Sequence, residues 1–297
     1  MHYRVKHITE YLYHGRVSHC YNMAHLTPRN TSRQRCINSN VDVLPKPSSQ
    51  SYRVDYFDNT AYHFEIQKPH NKLVITSTSE VQTATQPGAL DLHMGISCRD
   101  ARHAMFQSRN ADILMAREYL MDSPMVRASS ELRDYAEALF EDEKPLMVAV
   151  KELTSKIYTE FEYSPASTTI ATPVHEVMAT RKGVCQDFAH LMIGCLRSLG
   201  YAARYVSGYI ETLPPPGQEK LVGADATHAW VEVFSPGEGW FEYDPTNDCM
   251  AHEQHIVTGW GRDFYDVTPL CGVIYGGGEN PVLSVSVDVR RLGDPAK

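Results

Sequence analysis

The chain has 297 residues, 42% of them hydrophobic and 22% charged, which is enough to bury a full core and to form two domains. Its formal charge of −8 argues against general binding to nucleic acid or to an anionic membrane, because neither surface attracts a net acidic protein. We expect a cytoplasmic protein, since no apolar run follows the charged first residues and no later stretch could span a bilayer. Seven scattered cysteines, an odd number, predict free thiols rather than a disulfide scaffold.

The first hundred residues are predicted to form a β-rich domain, residues 1–100. Apolar and polar residues alternate over 3–13, as they do in a strand with one buried face. Two further β-type segments flank an Asp58-Asn59 turn, and a run rich in threonine, valine and isoleucine follows at 73–81. These patterns are typical of a sheet or a small sandwich.

A second domain, residues 101–297, is predicted to begin with helices, because the composition changes near residue 100. Helical spacing of apolar residues predicts three helices, at 100–121, 129–140 and 146–161. A loop at 165–173 and a short helix at 174–180 follow. After them the sequence predicts a strand at 201–210, an exposed proline-rich connection at 213–217, and three more strands at 229–234, 240–243 and 282–290. The chain is therefore predicted to be an α+β protein.

Cys185 stands at the predicted start of a further helix. Apolar residues recur after it at spacings of three and four, and Gly200 ends the run as a C-terminal glycine does. In the first turn, unpaired N–H groups and the positive end of the helix dipole favour thiolate over thiol and could bind an oxyanion. A buried structural cysteine is the alternative for Cys185. For Cys195, on the apolar face, it is the only interpretation.

His228 and Asp244 are predicted to share one face of a hairpin. A turn centred on Pro236 places the two residues directly opposite each other, with their Cβ atoms about 5 Å apart. The same register puts Val231 and Tyr243 on the opposite, apolar face, so the hydrophobic pattern itself specifies the register. A surface histidine–aspartate pair is the alternative interpretation.

Together these residues predict an enzyme. A thiol, an imidazole and a carboxylate are the three parts of an activated sulfur nucleophile, and Cys185, His228 and Asp244 supply them. Cys249, His252 and His255 have a spacing that could hold a metal, but no fourth ligand is evident and a polar loop explains them as well. We therefore predict no metal and no other cofactor.

The motifs around these residues resemble those of the bacterial branch of the transglutaminase-like superfamily. The resemblance rests on blocks that include Gly183-Val184-Cys185-Gln186-Asp187, Thr227-His228-Ala229-Trp230 and Asp244-Pro245-Thr246-Asn247. Weaker likenesses at 11–13, 26–28, 261–267 and 276–279 extend it over most of the chain. The resemblance implies a β-rich N-terminal domain followed by a papain-like α+β core. It also implies Cys185 as nucleophile, His228 as general base and acid, and Asp244 as the orienting carboxylate.

The chemistry implied is acyl transfer on a peptide or protein substrate through a thioester. Water as the acceptor gives a peptidase or amidase, which we favour, whereas a second, amine substrate gives a protein-crosslinking transglutaminase. A non-catalytic binding module on the same fold is the third possibility. The Cys185 N–H is expected in the oxyanion hole, with Tyr163 or Gln186 as candidate second donors, and Trp230 as a candidate wall of the substrate cleft.

Overall fold

The computed structural model describes residues 1–84, 91–165, 167–212 and 227–293. A β-rich N-terminal region precedes a mixed core of helices and strands, so the predicted α+β class is confirmed. The predicted connection at 213–217 lies outside the described residues, as does Ala166 of the predicted loop. No described helix combines the length and the apolar character that a bilayer crossing requires.

Five strands form the N-terminal region: β1 (His2–Ala24), β2 (Gln34–Leu44), β3 (Ser49–Val54), β4 (Thr60–Ile66) and β5 (His70–Thr83). They lie in the order β2-β5-β1-β4-β3, and every pair is antiparallel. Much of β1 alternates between buried and exposed side chains, which is the predicted period of two.

The remaining elements follow along the chain after β5. The helices are α1 (Cys98–Gln107), α2 (Ala111–Ala116), α3 (Ser130–Ala136), α4 (Leu146–Glu160), α5 (Val174–Thr180) and α6 (Cys185–Ser198). Short 3-10 turns lie at Leu92–Met94, Arg117–Leu120, Glu137–Leu139 and Phe264–Val267. The strands are β6 (Glu162–Tyr163), β7 (Lys182–Gly183), β8 (Ala203–Ile210), β9 (Thr227–Ser235), β10 (Gly239–Asp244), β11 (Cys249–Met250), β12 (His255–Gly261), β13 (Leu270–Gly276) and β14 (Val282–Arg291).

The predicted helix at 100–121 is wrong as a single element, because it is broken after Gln107. Asn110 begins α2 as its N-cap, and its side chain accepts the backbone N–H of Asp112 at 2.8 Å. Asparagine favours such caps because its side chain satisfies a backbone donor that the helix leaves unpaired.

The last two strands of the chain belong to the N-terminal sheet. β14 pairs with the first half of β1, from Tyr3 with Arg291 to Leu12 with Val282. β13 pairs with the second half of β1. The boundary drawn at residue 100 assigns both strands to the second domain, whereas the structure joins both ends of the described chain in one sheet.

Helix α6 packs on one face of the core sheet, whose strands lie in the order β11-β10-β9-β8-β12. Side chains from 186 to 198 are buried throughout, and they share a hydrophobic cluster with Val231, Val233 and Tyr243. Burial on every side makes α6 the central element of the core, and it holds Cys185 at its first turn.

The β9–β10 hairpin turns one residue later in the chain than the sequence predicts. Ser235 pairs with Gly239 across a three-residue loop, and both Gly237 and Gly239 adopt positive φ values, +87° and +103°. The predicted direct pairing of His228 with Asp244 is therefore wrong by two residues. A shift of two preserves the face of every side chain, so the predicted apolar and polar faces are still correct.

Candidate active site

Cys185 is held at the start of α6 by a tightly packed helix entry. Asp187 accepts the Val184 backbone N–H at 2.8 Å and the Thr168 hydroxyl at 2.7 Å. Gly183 passes so close that an added Cβ would lie 2.8 Å from the Cβ of Asp187. The N–H groups of the first turn have no partner inside the helix, and they surround the thiol-bearing residue.

Asp244 is a fully buried carboxylate with donors on both oxygens. Oδ2 accepts His228 Nε2 at 2.7 Å, His255 Nε2 at 3.1 Å and Asn247 Nδ2 at 2.6 Å. Oδ1 accepts the Thr246 backbone N–H at 2.9 Å. Because the hairpin register is shifted, Asp244 reaches His228 diagonally rather than directly across the ladder.

His255 and Asn247 are the residues of this site whose contacts the sequence left unassigned. His255 Nδ1 accepts the backbone N–H of His252 at 3.2 Å, so the His255 proton lies on Nε2 and is donated to Asp244. Burial lowers the pKa of His255, which keeps the ring neutral. The Asp244-Pro245-Thr246-Asn247 segment could have indicated the contact of Asn247 from the sequence, because asparagine side chains in turns commonly form hydrogen bonds with residues nearby.

The electrostatics of His228 favour the imidazolium. Burial alone would lower its pKa, but hydrogen bonds and negative charge from Asp244 and Cys185 outweigh burial and raise it to about 10. For Asp244, burial is opposed by hydrogen bonds from His228 and His255, and the pKa is held well below its usual range. The structure thus brings the side chains of Cys185, His228 and Asp244 together.

The accessory residues lie in three different settings. Tyr163 is 53% exposed, and burial and the charge of Cys185 raise its pKa, so its hydroxyl remains available near the thiol. Gln186 is buried, and its Nε2 donates to the Ile170 carbonyl at 3.0 Å, a local pairing that engages it away from the oxyanion role.

Trp230 does not form the expected wall of the cleft, because it is fully buried. Its Nε1–H donates to Glu242 at 2.7 Å, and its ring stacks on His228 and meets His255 edge-on. Alternation along β9 puts Trp230 on the same face as His228 but one pair deeper in the sheet. The Trp230 ring therefore packs against the imidazoles of both His228 and His255.

The possible metal cluster is arranged differently from its sequence spacing. In the described ranges, the donor atoms that converge within 4.8 Å are those of His228, Asp244 and His255, without Cys249 or His252. Both imidazole Nε2 atoms already bond to Asp244 Oδ2. We interpret this trio as a hydrogen-bonded cluster in which protons occupy the space between the donor atoms.

Gly208 lies opposite His228 in the ladder and is predicted to be essential for packing. An added Cβ would lie 2.1 Å from the Ile256 carbonyl oxygen and 2.7 Å from the Trp230 ring. We expect Gly208→Ala to lower the free energy of unfolding by about 3 kcal/mol in urea denaturation, because neither neighbour can move easily. Gly293→Ala, in open space, is the control and should change it by less than about 0.5 kcal/mol. Equal midpoints for both variants would contradict the packing argument.

Two family models match the chain in succession. Residues 3–82 match the bacterial transglutaminase-like N-terminal region, and residues 133–245 match the transglutaminase-like superfamily. An uncharacterized protein of Mycobacterium tuberculosis is 42% identical over 293 residues, which cover 97% of this chain and 92% of that protein. The chain therefore belongs to the transglutaminase-like superfamily, and it carries the bacterial N-terminal region.

Two other proteins resemble this chain, one in part of its sequence and one in its fold. A protein-glutamine gamma-glutamyltransferase of Pseudomonas aeruginosa is 32% identical over 119 residues, 37% of this chain and 18% of that protein. The crystal structure of a proposed cysteine protease from Cytophaga hutchinsonii has a TM-score of 0.76 at 20% identity, covering 100% of this chain and 92% of that one. That likeness shows a shared fold.

Proposed function

We propose that the chain is a cysteine-dependent acyl-transfer enzyme that acts on peptide or amide bonds, with water as its main acceptor. The observation that carries the proposal is the buried His228–Asp244 hydrogen bond of 2.7 Å, because a carboxylate in that position favours the imidazolium form of His228 beside Cys185. An imidazolium next to a thiol at a helix N-terminus stabilises the thiolate, the reactive form of cysteine. We also propose a cytoplasmic location.

The reaction follows from this arrangement. The Cys185 thiolate attacks the amide carbonyl carbon, and the resulting oxyanion accepts the Cys185 backbone N–H. The carbon–nitrogen bond then breaks while His228 gives its proton to the leaving amine, and a thioester is left on sulfur. Water attacks the thioester, His228 takes its proton, and the carbon–sulfur bond breaks to release the acid and restore the thiolate. A primary amine in place of water would give transamidation.

The role of Asp244 in this proposal is to hold His228 in one orientation. With Nε2–H donated to the carboxylate, Nδ1 is the nitrogen left for the thiol side, and the negative charge stabilises the imidazolium before and after each proton transfer. Tyr163 is the candidate second oxyanion donor, because its exposed hydroxyl lies near the thiol.

A peptide library, incubated with and without cadaverine and read by mass spectrometry, tests the proposal. We expect shortened or deamidated peptides, and no products from the Cys185→Ala variant. Cadaverine adducts as the main product would instead favour a protein-crosslinking transglutaminase. Absence of any product, together with an unreactive thiol, would favour the binding module and overturn the enzyme proposal.

His255 should act as a positioning residue for Asp244. We expect His255→Phe to lower kcat/KM by about tenfold with little change in KM, because Asp244 loses one of its donors and with it a fixed orientation. His255→Gln, which restores an N–H donor, should recover part of the activity. His252→Ala is the matched control, since its ring does not touch Asp244, and it should stay within about threefold. Equal losses for the Gln and Phe variants would contradict the positioning role.

A further inference from the structure

A cavity of about 1180 Å³ opens at the tip of the β9–β10 hairpin, away from Cys185. Its lining comes from the β3–β4 turn, from α1 and α2, and from residues 234–240 of the hairpin. Phe234 lies six positions after His228 along β9, which corresponds to about 20 Å at the rise of a strand. The cavity is large enough for several side chains of a ligand.

The inner wall of this cavity binds a guanidinium of the protein itself. Arg204 stacks on Trp240 and Trp260, with its Cζ 4.1 and 3.8 Å from the ring centroids. Its Nε donates to Glu232 at 2.5 Å, so the charge of Arg204 is compensated within the fold. Tyr119 and Phe234 pack against Trp240 and extend the aromatic surface. Such surfaces attract cations through the negative faces of their rings.

The remaining charges of the lining are four carboxylates, on Asp58, Asp112, Glu118 and Glu238. In the part of the chain that the structure describes, no lysine or arginine forms an ion pair with any of them. Arg262, whose charge interacts with that of Glu118, is held by both oxygens of Asp266 at 2.8 and 2.9 Å. The lining therefore carries excess negative charge over an aromatic wall.

A second cavity of about 340 Å³ continues from the first toward the catalytic end of the sheet. The two share Arg204, Glu238, Trp240 and Trp260, and the second one is also lined by Met250 and Ala251. Its other charges, on Arg33, Glu232 and Glu242, are paired within the fold, Arg33 with Glu242 and Arg204 with Glu232. Met250 pairs with Tyr243, the neighbour of Asp244, so the two adjoining cavities extend from the hairpin tip toward the end of β10 that carries Asp244, and we call them together the groove. An extended chain would fit such a shape better than a compact small molecule.

We propose that this groove is an exosite for a segment of the protein or peptide substrate that carries lysine or arginine. The proposal deepens the acyl-transfer function and rests on it. Arg204 and Arg29 already cover Trp240 and Trp260, so the exposed ring of Tyr56 accepts the aliphatic stem of the basic side chain. The carboxylates of the lining accept its charge. Because an extended chain covers about 20 Å in six residues, the basic residue lies about six positions from the reacting amide.

Binding to the Cys185→Ala variant tests the exosite without turnover. The probe is a twelve-residue peptide with two adjacent lysines, and the comparison peptide has norleucine at both positions. Fluorescence is a direct readout, because two of the three tryptophans of the chain line the cavity. We expect the lysine peptide to bind about tenfold more tightly in low salt, with an advantage that shrinks as salt is added.

The double variant Glu118→Gln/Glu238→Gln should remove most of that advantage, because glutamine preserves the shape and hydrogen bonding of each side chain but not its charge. Glu279→Gln, on an exposed turn of the N-terminal sheet, is the charge-matched control and should bind as the parent does. Equal affinity for both peptides, or an unchanged advantage in the double variant, would overturn the exosite.

These outcomes are separable from the proposed function. An enzyme that cleaves the library peptides yet shows no preference for lysine in binding keeps its acyl-transfer activity and loses the exosite. Preferential, salt-sensitive binding of the lysine peptide by an inactive protein would support a basic-segment site while contradicting the enzyme proposal. Binding of cadaverine as tightly as the lysine peptide would also overturn the exosite, because the groove would then recognise any small amine.

Discussion

Iodoacetamide is expected to label Cys185 at pH 6 at least about fiftyfold faster than any other cysteine of the chain. Iodoacetamide alkylates the thiolate, and an ordinary thiol with a pKa of about 8.5 is roughly 0.3% thiolate at that pH, whereas a neighbouring imidazolium and a helix N-terminus both favour the thiolate. Burial raises the pKa of all six other thiols, which lowers their reactivity further. Peptide mapping by mass spectrometry after short exposures gives the seven rates.

The same experiment on His228→Ala identifies the source of the reactivity. Removing the imidazolium should abolish most of the advantage at pH 6, while the helix N-terminus remains in place. Cys195, buried on α6, is the internal control, and it should stay unlabelled in both proteins unless the fold opens. Similar rates for all seven cysteines in the parent protein would contradict the proposed nucleophile.

Asp244→Asn is expected to lower kcat/KM on the order of 10³-fold, mostly through kcat. The amide cannot balance the charge of an imidazolium, and the pKa of His228 should fall toward its ordinary value. Asp248→Asn is the matched control, because Asp248 lies in the turn that directly follows Asp244 but pairs with Lys151 and Ser155. Its activity should remain within about threefold. Steady-state rates on a peptide found in the library assay give both values.

The pH dependence of stability provides a readout of this variant that does not need activity. Folded His228 keeps its proton up to about pH 10, whereas an unfolded histidine releases it near pH 6.5. Between these values the folded state binds more protons, so stability should fall as pH rises, and the contribution is fully present below pH 6.5. The slope should flatten in Asp244→Asn. An equally steep decline in the variant would show that another group is responsible.

Local patterns predicted the elements that local forces determine. The predicted helix at 174–180 matches α5, and the helix expected at Cys185 begins there, because spacing and chain-breaking residues specify both. The two faces of the hairpin were predicted correctly because side chains alternate strictly along a strand. The position of the turn was not, since the loop lies at 236–238 rather than 235–237, with Gly237 and Gly239 at positive φ values that glycine tolerates.

Contacts between distant segments were beyond such patterns. β14 looks like any other strand in the sequence, and only its pairing with β1 shows that it completes the N-terminal sheet. In the same way, the separation in sequence between His255 and Asp244 gives no indication that they share a bond, because the path of the chain between β11 and β12 decides it. The lining of the groove comes from segments as distant in the sequence as Phe57 and Trp260.

The sequence by itself determined the α+β class, the thiol at a helix start, and an imidazole and a carboxylate on one face of a hairpin, because each depends on short-range periodicity or on neighbouring residues. Only the tertiary structure decided how Asp244 is shared between two histidines and an asparagine, why Trp230 is buried beneath them, and where the acidic groove runs. Those features depend on register and on the packing of segments far apart in the chain, and no local pattern encodes either one.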